Sequence, residues 1–113
     1  MASAGFSPSS GEWLVIIPDY EGALQKRLAV RADHLADLKT DPEGFWLLGG
    51  AMLEEPIKEG ETPKMNGSVM LIRGSSREAV EERLKQDVYF KGEVWDWEKV
   101  QIIPFKSAVR KAL

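Results

Sequence analysis

The chain has 113 residues, 43% of them apolar, with a formal net charge of −3, a single histidine and no cysteine. That is enough for one domain with a real core. It excludes a disulfide framework, a cysteine nucleophile and thiolate metal sites, and one histidine argues against a zinc or iron cluster. The charges are interspersed, so no basic nucleic-acid surface is indicated.

The opening "MASAGFSPSSG", residues 1–11, reads as a flexible polar leader. It lacks the basic and apolar regions of a signal peptide, and no apolar run nears the roughly 20 residues of a membrane span. The expectation is a cytoplasmic protein with no membrane or nucleic-acid partner. The domain is expected over 12–107, followed by a tail at 108–113.

"EWLVIIPDY" predicts a buried strand at 12–17, closed by Pro18. Leucines at 24, 28, 35 and 38 then recur at a helical period, until Pro42 and Gly44 stop it. "FWLLGGAML" predicts a second strand, with a bend or close approach at Gly49-Gly50. "EEPIKEGETPKMNG" is a loop and "SVMLIRG" a third strand. "SSREAVEERLKQDV" predicts a second helix, opened by Ser75 and Glu78 as a capping box. "WDWEKVQIIPF" predicts a fourth strand, and the basic "KSAVRKAL" a solvated helical tail.

The order β-α-β-β-α-β implies an α+β, ferredoxin-like split βαβ fold: a four-stranded antiparallel sheet with two helices on one face. The strands are apolar enough that the other face is expected to pack on a second copy. A homodimer of the dimeric α+β barrel kind follows.

Two positions do not fit a plain core. Arg31 falls in the middle of the leucine stripe, with His34 at its edge. A buried guanidinium needs a carboxylate, carbonyls or an anionic ligand, unless it snorkels out past the stripe. His34 is a catalyst or a satisfied structural side chain. Asp87 is expected at the C-terminal end of the second helix, against the helix dipole, so a cationic partner is expected for it. With both helices on one sheet face, His34 is the candidate, giving a base held by an orienting carboxylate.

"RLAVRADHLADL", "LLGGAML", "GSVMLIRGSSREAVEERLKQDVYFKGEVW" and "VQIIPF" together resemble the YCII-related (YciI-like) domain over about residues 12–107. The resemblance implies the dimeric α+β barrel and a catalytic His-Asp pair at His34 and Asp87. Arg31, Ser68 and Tyr89 match further recurrent polar positions. The family's usual Asp-Pro-Tyr is Asp87-Val88-Tyr89 here, and Gly50 stands where Gly-Pro is common. Trp46, Trp95 and Trp97 either line a flat pocket or pack sheet and dimer. With Arg31, Ser68, Tyr89, Trp46 and Gly49 as substrate-binding residues, the implied activity is that of a lyase or isomerase needing no cofactor and acting on a small organic molecule. The alternative is a non-catalytic dimeric binding or accessory module. A haem or flavin enzyme is disfavoured, because one histidine gives one axial candidate and no nucleotide motif is present.

Overall fold

The computed structural model describes residues 10–113. The leader expected at 1–11 lies outside them but for its last two positions, and Gly11 already belongs to the first strand.

The elements run β1 (Gly11–Pro18), α1 (Leu24–Leu38), β2 (Trp46–Leu53), β3 (Met65–Gly74), α2 (Arg77–Leu84), the single turn α3 (Val88–Lys91) and β4 (Gln101–Phe105). All pairings are antiparallel, in the order β2-β3-β1-β4. This is the ferredoxin-like fold expected from the sequence.

Alternation along the strands sorts the sheet into two faces. Val15 and Ile17 of β1, Met70 and Ile72 of β3 and Ile102 of β4 point toward the helices. There they join Val80, Leu84, Tyr89, Val94 and Trp95 in one core. Each such side chain fully withdrawn from water contributes about 1.5–3 kcal/mol. On the opposite face Leu48, Leu71, Leu14 and Ile103 stand side by side, one from each strand. Leu48 and Ile103 are exposed.

Several expectations need correction. β4 begins at Gln101, not at Trp95. Trp95 makes an isolated bridge to Asp19, and residues Trp97–Lys99 form a 3₁₀ turn. The cap of α2 is Ser76, whose Oγ accepts from the Ala79 N–H at 3.1 Å, so the Ser75–Glu78 box does not form. Nor is "KSAVRKAL" helical. So short a segment cannot hold a helix without packing partners.

The Gly49-Gly50 bend is absent as well. Both residues lie within β2 and neither has a positive φ; the irregularities in the pairing fall between Trp46 and Leu48 and between Met52 and Leu53. What these glycines provide is room. A Cβ on Gly49 would come no closer than 3.8 Å to Met70, and one on Gly50 would meet nothing. Gly67 is the opposite case, because its Cβ would fall 2.9 Å from the Ile17 carbonyl where β3 crosses β1.

The largest correction concerns which side of α1 faces the sheet. Ala23, Arg27, Val30 and His34 do, a spacing of 4, 3 and 4 residues. The leucine stripe lies about a quarter turn away, and Leu35 is exposed. The buried arginine is therefore Arg27, 3% exposed, and not Arg31, which is exposed.

Asp87 was expected at a helix C-terminus. α2 ends three residues earlier, and Asp87 is the N-cap of α3: its Oδ1 accepts the Tyr89 N–H at 2.9 Å. A carboxylate at a helix N-terminus is favoured rather than penalised. Val88 occupies the first position of α3, where a proline would also fit, so the missing proline leaves the cap intact.

Candidate active site

Between α1 and the edge strand β2 lies a cavity of about 260 Å³. Gly49, Gly50 and Ala51 form one wall with almost no side chains. Leu35, Leu38, Trp46, Met65 and Met70 make the apolar lining. The C-terminal end of the leucine stripe, Leu35 and Leu38, thus lines a cavity rather than a core. Among the residues lining it, the polar ones are Arg27, Arg31, His34, Ser68 and Tyr89. No carboxylate lines it.

His34 Nδ1 lies 2.8 Å from Asp87 Oδ1. Asp87 is fully buried and the His34 side chain is 12% exposed. With Nδ1 donating to the carboxylate, Nε2 is the basic nitrogen, and it has no partner among the described residues. The imidazole stacks on the Tyr89 ring with centroids 4.0 Å apart, and Trp95 closes edge-on against both rings. These contacts leave the imidazole little freedom to turn.

Two turns before His34 on α1, Arg27 Nη1 reaches both Asp19 oxygens at 2.9 and 3.0 Å, and Nη2 donates to Ser68 at 2.8 Å. Its guanidinium carbon lies 4.5 Å from the centre of the Tyr89 ring. Burial pushes the Asp19 carboxyl above its ordinary range, and Arg27 offsets this only in part.

Ser68 Oγ also accepts the Trp95 Nε1–H at 3.0 Å. Both of its lone pairs are in use, so its proton remains to be donated. Burial raises the Tyr89 phenol, and the nearby Arg27 and Arg31 pull it only partly back. At neutral pH its hydroxyl is a donor too. Arg31 has no ion-pair partner among the described residues, although it lines the same cavity.

Trp46 is fixed from behind. Its Nε1–H donates to Asp41 Oδ2 at 2.7 Å, and Asp41 receives Nε and Nη2 of Arg83 at 2.8 Å each. Trp95 buttresses the site from below, while Trp97 packs on Phe90 away from it.

The structure thus brings together the residues taken from the sequence as catalytic or substrate-binding, His34, Asp87, Arg31, Ser68, Tyr89, Trp46 and Gly49, while Trp97 stands apart. Sequence reasoning missed Arg27, Asp19, Asp41 and Arg83. A pointer to Arg27 was present, since it precedes Arg31 by four residues and His34 by seven, on one helix face. Asp41 and Arg83 carry no such pattern, because they meet only through the fold.

The model of the YCII-related domain matches residues 12–106 of the chain. The chain belongs to the YCII-related family. Among curated relatives it is 36% identical over 100 residues to fusaric acid biosynthesis protein 2 of Gibberella fujikuroi, covering 85% of this chain and 93% of that protein. It is 32% identical over 102 residues to aspercryptin biosynthesis cluster protein B of Emericella nidulans, covering 88% of this chain but only 65% of that longer protein. A xenovulene A biosynthesis cluster protein of Sarocladium schorii is 33% identical over 106 residues, with 89% and 92% covered. YCII-related proteins thus recur in biosynthetic gene clusters for secondary metabolites.

Among solved structures, the 5-chloro-2-hydroxyhydroquinone dehydrochlorinase of Burkholderia phenoliruptrix AC1100, in complex with 2,5-dihydroxybenzoquinone, shares the fold. The TM-score is 0.73 at 23% identity, over 84% of this chain and 93% of that one. Among the described residues no helix is long and apolar enough to cross a membrane.

Proposed function

We propose that this YCII-related protein is a small lyase or isomerase that moves a proton on a planar, mostly apolar organic substrate carrying an acidic oxygen. The observation that carries this reading is the 2.8 Å bond from His34 to buried Asp87 at the wall of an open cavity. A purely structural pair would need no cavity beside it.

In this reading Nε2 of His34 takes a proton from a carbon next to a carbonyl or enol. The C–H electron pair becomes a carbon–carbon double bond. Negative charge then either collects on the carbonyl oxygen or leaves with a departing group, which the imidazolium can protonate. Asp87 holds the ring with Nδ1–H bonded and stabilises the imidazolium. The Ser68 and Tyr89 hydroxyls and the Arg31 cation meet the charged oxygen. Gly49, opposite Met70 on the helix side of the sheet, leaves space for a flat ring against Trp46. The dehydrochlorination performed by the fold neighbour, and the cluster relatives, support a role in tailoring secondary metabolites. We also propose a homodimer joined through the row Leu48, Leu71, Leu14 and Ile103.

The competing reading is a binding module in which the pair is only structural. The probe that separates the two is 2,5-dihydroxybenzoquinone in deuterium oxide. Its ring C–H exchanges when a deuteron is delivered to carbon and the original proton is removed. An enzyme of this kind binds the quinone and speeds the exchange. Binding without faster exchange favours the module, and absence of binding removes this substrate class.

A further inference from the structure

Asp87 is fully buried, yet one of its oxygens is short of a hydrogen bond. Oδ1 accepts from His34 Nδ1 and from the Tyr89 N–H. Oδ2 accepts none among the described residues, and what faces it is Nη1 of Arg83 at 3.5 Å. Arg83 sits in the last turn of α2, four residues before Asp87. A free guanidinium in that position would close on the carboxylate and fork across both oxygens. It would then compete with His34 for Oδ1 and neutralise the charge that an imidazolium needs.

Arg83 is held back by its other edge. Nε and Nη2 donate to Oδ1 and Oδ2 of Asp41, at 2.8 Å each. Asp41, just beyond α1, is anchored in turn by Nε1–H of Trp46 at 2.7 Å. The guanidinium carbon of Arg83 lies 5.2 Å from the centre of the Trp46 ring. Burial opposes the charge of Arg83, but the Asp41 contacts and the nearby Asp87 raise its pKa above the ordinary value. Burial likewise pushes Asp41 up, and the bonds from Arg83 and Trp46 more than reverse it, holding the carboxyl below its ordinary range. Both groups therefore stay charged at neutral pH.

We infer that Arg83 and Asp41 are positioning residues for the His34–Asp87 pair: Asp41 clamps one edge of the Arg83 guanidinium, so that the other edge steadies Asp87 Oδ2 and leaves Oδ1 to His34. The clamp has a second consequence. Trp46 is part of the cavity wall, so a ligand lying against it presses on the residue that anchors Asp41. The cavity wall and the proton-moving pair are joined by one run of contacts: Trp46, Asp41, Arg83, Asp87, His34.

The inference rests on the proposed role of His34, but its test needs no turnover. His34 is the only histidine, so its ring nitrogens can be followed by ¹⁵N NMR without assignment. Their shifts report which nitrogen carries the proton. In the wild-type protein at a pH where the ring is neutral, a single Nδ1–H form is expected. In Asp41→Asn the released guanidinium forks onto Asp87 and displaces His34 from Oδ1, which turns the single form into a mixture of tautomers. In Asp41→Asn/Arg83→Met no guanidinium is left to compete, so the Nδ1–H form returns.

Wild-type ring shifts in folded Asp41→Asn would overturn the inference, and so would a tautomer mixture that persists in folded Asp41→Asn/Arg83→Met. A structural role alone would lower the melting temperature and leave the tautomer unchanged. Should the double variant not fold, Asp41→Asn decides by the first criterion. If His34 moves no proton on a substrate, the tautomer response persists while catalysed exchange is absent, so the two failures are distinguishable.

Discussion

His34 Nδ1 and Asp87 Oδ1, 2.8 Å apart, join α1 to the capped start of α3. The bond crosses 53 residues of sequence. Its carboxylate is held by backbone as well as by side chain, since the same Oδ1 caps α3 through the Tyr89 N–H. Local turn geometry thus fixes Asp87, and Asp87 in turn fixes the imidazole against Tyr89.

The two arginines of α1 should separate cleanly under substitution. Arg27→Met leaves Asp19 buried with no cation, and breaking a buried pair in this way costs about 3–5 kcal/mol. Arg31→Leu alters an exposed position and should change stability by no more than about 0.5 kcal/mol. It should instead weaken binding of an anionic ligand such as 2,5-dihydroxybenzoquinone. Urea denaturation and absorbance titration measure the two effects. Equal destabilisation by both substitutions would contradict the assignment of Arg27 as the buried cation.

Acid stability should depend on Asp41. Its carboxyl is held below the ordinary range in the folded protein. The unfolded chain therefore binds the proton first as pH falls. The stabilisation from this group is present above the ordinary carboxylate pKa of about 3.9 and is lost as pH drops through the lower folded value. Asp41→Asn should flatten that part of the acid limb, read as urea midpoints between about pH 2 and pH 6. An acid limb unchanged by the substitution would show that Asp41 is not clamped by Arg83 in solution.

Association should be visible at micromolar concentration. Leu48, Leu71, Leu14 and Ile103 form an apolar row on the sheet face away from the helices, and its outer members are exposed. Sedimentation should give about twice the 12.6 kDa chain mass. Ile103→Lys should return the protein to a monomer without unfolding it. A wild-type monomer would remove the barrel proposal.

The fold was readable because each strand contains a short apolar run with turn or loop residues at its ends. The site was readable mainly through the family resemblance at His34, Asp87, Ser68 and Tyr89. The periodicity of α1 misled, because its leucines were counted as core. Leu35 and Leu38 line the cavity instead, and the face that meets the sheet carries Arg27 and His34. No hydrophobic count finds a face whose buried members are polar. The apolar pattern of α2 also seemed to run on through Val88. The chain leaves the helix at Lys85 and restarts at Asp87, and "DVYF" reads equally well as an N-cap followed by a turn. Asp41 and Arg83 lie 42 residues apart and meet only in three dimensions.

The most direct test of the account is the rate of deuterium incorporation into 2,5-dihydroxybenzoquinone, compared for wild type, His34→Ala and Asp87→Asn. General acid–base transfer by a placed histidine contributes about 10²–10⁴ in rate. His34→Ala should therefore lose the whole enzyme-catalysed excess. Asp87→Asn keeps the shape of the carboxylate but not its charge, and should retain a smaller, measurable part. Wild-type exchange in folded His34→Ala would contradict the claim that this histidine moves the proton.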